Sequence, residues 1–372
     1  MNIFPDKIPF YIKFTIFFTG LAAFGFIMYI GQDILIPLIF SALIAILLDP
    51  LVTIMEKIKI PRIIAITLAI ILGFLILSGV IYFISVQLSM FNESLPMFKE
   101  KFSVVLEQSK NWVSSEFHLS REAINLQIEK WGKSIFEGSG ALIGSTVTTV
   151  TELIVVWLLI PVYVYLFLYY QSLLLTFVER VSDKKNQDTI TEVLVVGKKM
   201  IQSYLVGLLI EIIIMSVLNS VGLMILGIEY AILLGIIGAL LNVIPYIGGV
   251  VSTALPMLVA LVTKDSLASP LLVLGVYLLI QFIDNNFLIP LVVASRVKIN
   301  ALISIVVVLI FGAMFGIGGM FLAIPLTAII KIIFDRIESM KPYGLLFGIE
   351  VPTNTNFIKK LRRVKATEKN KE

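Results

Sequence analysis

The densest group of chemistry-bearing side chains in this sequence is Asp284-Asn285-Asn286, set between the apolar runs Leu278–Phe282 and Phe287–Pro290. A carboxylate beside two amides can bind a cation, relay a proton or hydrogen-bond a polyol. The same three residues could instead form a helix-packing network or a cap near a membrane surface. Glu211, inside Leu208–Met215, is a second carboxylate in an apolar stretch and carries the same two readings. Asn219 and Gln281 have the chemistry to join helices by hydrogen bonds. Lys331 and Asp335 stand four residues apart, the spacing of a helical ion pair. Glu152 reads as lying near an outer interface, and Asp49-Pro50 as the end of a span.

Enzyme chemistry finds little support. There is no cysteine, which excludes disulfides, thiolate-held zinc and iron–sulfur clusters. The one histidine, His118, sits in a charged stretch with no evident partner. No Gly-x-x-x-x-Gly-Lys-Ser/Thr phosphate loop and no His-Glu-x-x-His zinc motif occurs. Asp284 lacks the second facing aspartate that an intramembrane aspartyl protease requires. No cofactor and no metal site are expected.

The elements that must position these residues are membrane helices. The chain of 372 residues is 58% hydrophobic and only 15% charged, with mean hydropathy +1.00. That is too little charge to cover a water-facing surface of this size. The apolar residues fall in runs that predict spans near 10–30, 33–54, 63–89, 143–170, 203–226 and 269–290. The first is read as a retained span, not a cleaved signal. Basic residues cluster at Lys57, Lys59 and Arg62, at Lys184, Lys185, Lys198 and Lys199, and in the tail from Lys359 to Lys371. The positive-inside rule places all three in the cytoplasm, with the turn Gly31–Asp33 outside. Tyr163, Tyr165, Tyr169 and Tyr170 suit an interfacial belt at the cytoplasmic end of the fourth span. The basic tail reads as an orientation and lipid-headgroup signal, with no nucleic-acid partner.

This divides the chain into N-terminal transmembrane helices (1–90), an extramembrane insert (91–140), a fourth helix with a cytoplasmic amphipathic segment (141–200), a core with broken helices (201–338) and a basic tail (339–372). Apolar positions in the insert (Val104, Val105, Trp112, Val113, then Ile124, Ile128, Trp131) predict two amphipathic helices outside the membrane, the second capped by Ser120 with Glu122 in its first turn.

Two apolar segments are interrupted. Tyr230–Val262 contains Asn242, Pro245, Gly248 and Gly249; Asn300–Asp335 contains Gly312, Gly316, Gly318, Gly319 and Pro325. As one straight helix the first would run roughly 50 Å, against a hydrocarbon core of ~30 Å. A kinked span and a re-entrant hairpin are the two options. If both segments are hairpins, the loop holding Arg296 and Lys298 falls on the cytoplasmic side, where its charge belongs. The fold class is then all-α: a polytopic integral membrane protein with two re-entrant helical hairpins in inverted-repeat arrangement. Paired broken segments of this kind point to a transporter's binding site, because broken helices survive in a membrane only where they are packed in protein or face a polar cavity.

The run Asn242-Val243-Ile244-Pro245-Tyr246-Ile247-Gly248-Gly249, then Asp284-Asn285-Asn286 with Pro290, then Lys298-Ile299-Asn300, then Phe311-Gly312 through to Pro325 resembles the autoinducer-2 exporter family of PerM-like permeases. The resemblance covers nearly the whole chain, including the insert after the third span. It implies a multi-pass protein of the bacterial cytoplasmic membrane that exports a small polar solute such as autoinducer-2 or exchanges monovalent cations for protons, and it implies a homo-oligomer. Pro245, Gly248, Gly249, Asp284 and Asn285 occupy that family's characteristic positions. The full expectation is a secondary transporter with both termini cytoplasmic. Glu211 and Asp284 are its proton or cation sites, and Asn242, Asn285 and Asn286 supply neutral oxygens. Pro245, Gly248, Gly249, Gly318, Gly319 and Pro325 shape the hairpin tips. The alternative is a non-transporting membrane scaffold or channel-like oligomer organised through the insert.

Overall fold

A computed structural model describes residues 9–117, 146–182, 187–245, 247–264, 266, 268–293 and 299–349. The expected second helix of the insert, His118, Lys184, Lys185, Tyr246, Arg296, Lys298 and the end of the tail lie outside the described residues, as does the side chain of Glu152.

The described elements are helical: α1 Phe10–Ile30, α2 Gln32–Lys57, α3 Arg62–Phe117, α4 Thr146–Tyr169, α5 Gln171–Val181, α6 Gln187–Ile225, α7 Ala231–Asn242, α8 Ile247–Thr263, α9 Ala268–Ile283 continuing as a π-helix over Asp284–Val293, α10 Ala301–Arg336, a 3-10 turn Glu338–Met340 and α11 Lys341–Phe347. Among the described residues five helices are long and apolar enough to cross a membrane. A sixth span is formed if Leu158–Tyr169 and Gln171–Val181, bent by 62°, act together. The all-helical, multi-pass reading therefore holds.

Several boundaries differ from the sequence expectation. α2 does not end at Asp49-Pro50 but continues to Lys57. Proline removes one backbone N–H, and the helix is held past it by packing of Val52 and Leu48 against α3 and α4 and by the Lys198–Asp49 ion pair, 2.6 Å, from α6. The described part of α6 is already helical from Gln187, well before the span expected from 203. Lys198 faces a carboxylate on α2, and Glu192 pairs with Arg336 of α10 at 2.9 Å, so the described part of the basic stretch, Lys198 and Lys199 included, is helix and not loop. α3 shows no break at residue 91. Its 56 residues run about 84 Å at helical rise, so the first insert helix is an extension of the third span. Phe91 and Phe98 of that extension pack on Tyr230. The expected three-residue turn at Gly31–Asp33 is a one-residue joint: Gly31 keeps φ −82°, ψ 4° and its N–H and C=O bond Ile27 and Leu35 at helical spacing. The start of the tail is also structured, since α11 folds back on α10 through Phe334 with Tyr343 and Phe347.

Both interrupted segments are interrupted in the structure. The first breaks between Asn242 and Ile247, where Pro245 cannot extend a helical ladder. Gly248 sits so close to the preceding turn that a Cβ there would lie 2.0 Å from the Leu241 carbonyl oxygen. The chain doubles back. A Cβ on Gly227, before α7, would lie 3.4 Å from Lys264 Nζ, after α8, and Ala231 and Leu234 share an apolar cluster with Val259 and Val262. α10 turns at Gly316 (φ 62°, ψ −149°), a conformation almost confined to glycine. A Cβ on Gly319 would meet the Phe311 oxygen at 2.2 Å, whereas eight residues of straight helix would separate them by about 12 Å. Lys331 and Asp335 pair as expected.

Candidate functional site

α6, α7, the break after α7, α8 and α9 enclose a cavity of about 830 Å³. Each wall contributes polar groups at helical spacing. Tyr204, Leu208 and Glu211 stand at i, i+4 and i+7 on α6; Tyr277, Gln281 and Asp284 stand at the same spacing on α9 and its π extension, and all six line the cavity. The break supplies Asn242 and Pro245, and Gly249 and Thr253 follow, one turn apart, on α8. Ile299, just before α10, and Ser304 and Ile324 on it bring α10 to the edge.

Asp284 is fully buried at 0% exposure and Glu211 is buried at 7%. The two carboxylates lie within electrostatic range of one another. Asp284 sits where α9 passes from α- to π-helix, an irregularity common at functional sites. Its Oδ2 accepts from Asn242 Nδ2 at 3.0 Å and from Gln281 Nε2 at 3.4 Å. Its Oδ1 has no partner among the described residues. The Asn242 amide thus ties the end of α7, at the break, to the α–π joint of α9. Among the described residues no Lys, Arg or His lines the cavity, and no group of three or more His, Asp or Glu could hold a metal ion.

The structure brings together Glu211, Asn242, Pro245, Gly249, Asp284 and Asn285 from the sequence expectation. Asn286 is apart: it is exposed and donates to the Phe282 carbonyl at 2.8 Å. Gly248, Gly318, Gly319 and Pro325 are off the cavity lining. Gly248 permits the tight turn after the break, Gly318 lies against Ile36 and Phe40 of α2, and Gly319 lies in the close approach of the two arms of α10. Pro325 is buried in the second arm. Sequence reasoning missed Tyr204, Thr253 and Tyr277 as lining residues and treated Gln281 only as interhelical glue. The i, i+4, i+7 spacing back from Asp284 and Glu211 was the signal that would have found Tyr277, Gln281 and Tyr204. Asn219 does join helices, donating to the Gly235 carbonyl at 3.5 Å.

A family model described as AI-2E family transporter matches residues 16–339. YrrI of Bacillus subtilis (strain 168), whose name calls it a transport protein without naming a cargo, is 27% identical over 319 residues, covering 83% of this chain and 88% of its own. The AI-2 transport protein TqsA of Escherichia coli (strain K12) is 24% identical over 328 residues, covering 86% and 90%. The permease PerM of the same organism is 28% identical over 173 residues, covering 46% and 49%.

Proposed function

This chain belongs to the AI-2E transporter family, and we propose that it works as a secondary transporter whose coupling centre is the Glu211–Asp284 pair. The observation that carries this reading is two buried carboxylates at one cavity, with no basic side chain among the described residues of its lining. An uncompensated charge is costly away from water, and two like charges more so, so the site favours taking up a proton or a monovalent cation. Asn242 and Asn285 add neutral oxygens beside the carboxylates. A site that a proton and a cation both neutralise suits exchange of one for the other, with alternating access moving it from one side of the membrane to the other.

A second cargo reading has its own support. The cavity, at about 830 Å³, is in the size range of sites for small molecules and far larger than an ion needs. The relative TqsA is named for AI-2. Export of that polyol, driven by the carboxylate pair, is compatible with the same centre.

For the membrane arrangement, we propose that residues 230–262 dip in from outside and residues 300–335 from the cytoplasm, as inverted repeats. Both termini are then cytoplasmic in a bacterial inner membrane. The doubling-back at both breaks supports this, as does the charge of Arg296 and Lys298. The outward apolar faces of α1 and α3 suit lipid and a homo-oligomeric neighbour alike.

Counterflow in proteoliposomes, with sodium, lithium and autoinducer-2 as cargo, tests the proposal. Asp284→Asn and Glu211→Gln should each abolish coupled flux while the protein still reconstitutes. Flux of any of these cargoes at the wild-type rate in both variants would remove the carboxylate pair from the mechanism.

A further inference from the structure

The function above uses the carboxylate end of the cavity and leaves its other end unexplained. α8 and α9 run side by side in opposite directions. Gly249, at the start of α8, lies against Gln281 near the end of α9, where a Cβ would be 3.3 Å from Gln281 Oε1. Val259 and Val262, late in α8, share an apolar cluster with Val273 and Tyr277 of α9. The lining therefore changes character along the pair. Gln281, Asp284 and Asn285 stand near the break; behind them come Val250, Ala254 and Leu278, and then Met257 and Leu274. From Asp284 back to Leu274 the helix runs about 15 Å, so the cavity has an apolar arm leading away from its acids.

The hydroxyls of Thr253 and Tyr277 do not make this arm polar. Thr253 Oγ1 donates to the Gly249 carbonyl at 2.7 Å. Tyr277 Oη is covered and lies 3.3 Å from the position of a Cβ on Gly238 of α7, so it is the ring that lines the arm. The arm also reaches the protein surface. Val250 is 71% and Leu278 62% exposed, and their neighbours Leu255 and Phe282 are exposed apolar side chains as well.

The two ends set different demands on a ligand. A bare cation or a polyol would answer the carboxylates and leave water against the apolar arm, which is unfavourable. An apolar neutral molecule would fill the arm and leave two buried carboxylates unanswered. We infer that this cavity binds a singly charged organic cation with an apolar body: its ammonium-type head lies at Glu211 and Asp284, and its body lies along Val250, Ala254, Met257, Leu274 and Leu278. One positive charge is enough, because Asp284 Oδ2 already accepts from Asn242 and Gln281. The inference rests on the carboxylate centre proposed above and adds the chemical class of its ligand.

Tetraalkylammonium ions test it, since they keep one charge and vary only the apolar body. Binding of tetramethylammonium and tetrabutylammonium to the purified full chain is measured by calorimetry. Each methylene buried in the arm is worth about fourfold in affinity, so tetrabutylammonium should bind on the order of tenfold tighter or more. Met257→Gln keeps the side-chain length and places an amide in the arm; Leu274→Asn does the same from α9. Each variant, with wild-type elution in gel filtration, should shrink the tetrabutyl-over-tetramethyl ratio. Glu211→Gln combined with Asp284→Asn should abolish binding of both ions, and any residual signal in that variant measures uptake by the detergent. Equal affinities for the two ions, or a ratio unchanged in both arm variants, would overturn the inference. Absence of binding by either ion, with carboxylate-dependent sodium or lithium flux intact, would overturn it alone and leave the coupling centre standing. Binding of tetrabutylammonium that exceeds detergent uptake without the two carboxylates would overturn the head-group assignment and count against that centre too.

Discussion

Asn242→Ala should uncover Asp284. In the structure Asp284 is completely covered, and its Oδ2 is held across the helix break by Asn242 at 3.0 Å, with only a longer contact from Gln281 at 3.4 Å on its own helix. The Asn242 bond is the one that links the α7 end to α9, so it opposes any movement that opens the carboxylate to the cavity. A hydrogen bond to a charged group contributes about 1.5–3 kcal/mol, and about 1.4 kcal/mol is a factor of ten in an equilibrium. Removing it should raise the open fraction ~10- to 100-fold. Dicyclohexylcarbodiimide, which modifies carboxyl groups in apolar surroundings, reads that fraction. Labelling at position 284, located by peptide mass, should accelerate by the same factor in Asn242→Ala. Asp284→Asn should remove the labelled peptide, and Asn242→Asp is not an equivalent control because it adds a third acid. A labelling rate in Asn242→Ala equal to wild type would mean that the amide does not hold the site closed, and the role assigned to the helix break would fail with it.

Two further outcomes concern the breaks themselves. Gly316→Ala forces a side chain into a backbone region almost restricted to glycine (φ 62°, ψ −149°) and should cost about 1–3 kcal/mol, read as a lower Tm with α10 still helical by circular dichroism. An unchanged Tm would show that the turn is not fixed at this residue. The natural chain has no cysteine, so Arg296→Cys gives a single reporter. A membrane-impermeant maleimide should label it from the cytoplasmic side alone, and labelling from outside would reject the re-entrant placement of both segments.

The class of the protein was legible in the sequence because it depends on sums and runs. A chain with so few charges and such long apolar stretches has only helices as its means of satisfying backbone groups in a bilayer. The interruptions at Pro245 and Gly316 were legible for a related reason, since proline and glycine act on their own backbone wherever they stand. Boundaries were less legible. Asp49-Pro50 looks like a stop, and Lys198-Lys199 like a loop, until the two are seen to face each other: a lysine on α6 pairs with the carboxylate on α2, and each charge is accommodated inside a helix by the other.

The site divides along the same line. Glu211, Asn242 and Asp284 were selected by sequence alone, because an ionisable or amide group in an apolar run is costly enough to be conspicuous. Asn286 was selected by the same rule and belongs elsewhere, because a helix sends consecutive residues to different faces, and its amide turned back to its own backbone. Tyr277 and Tyr204 passed unnoticed, since a tyrosine among apolar residues signals nothing until its hydroxyl is found buried. Sequence determined that two acidic residues must be embedded in this protein. Only the packing of α6 against the α–π joint of α9 decided that they share one cavity, because that depends on which faces of separate helices meet, and residues 73 positions apart carry no local trace of it.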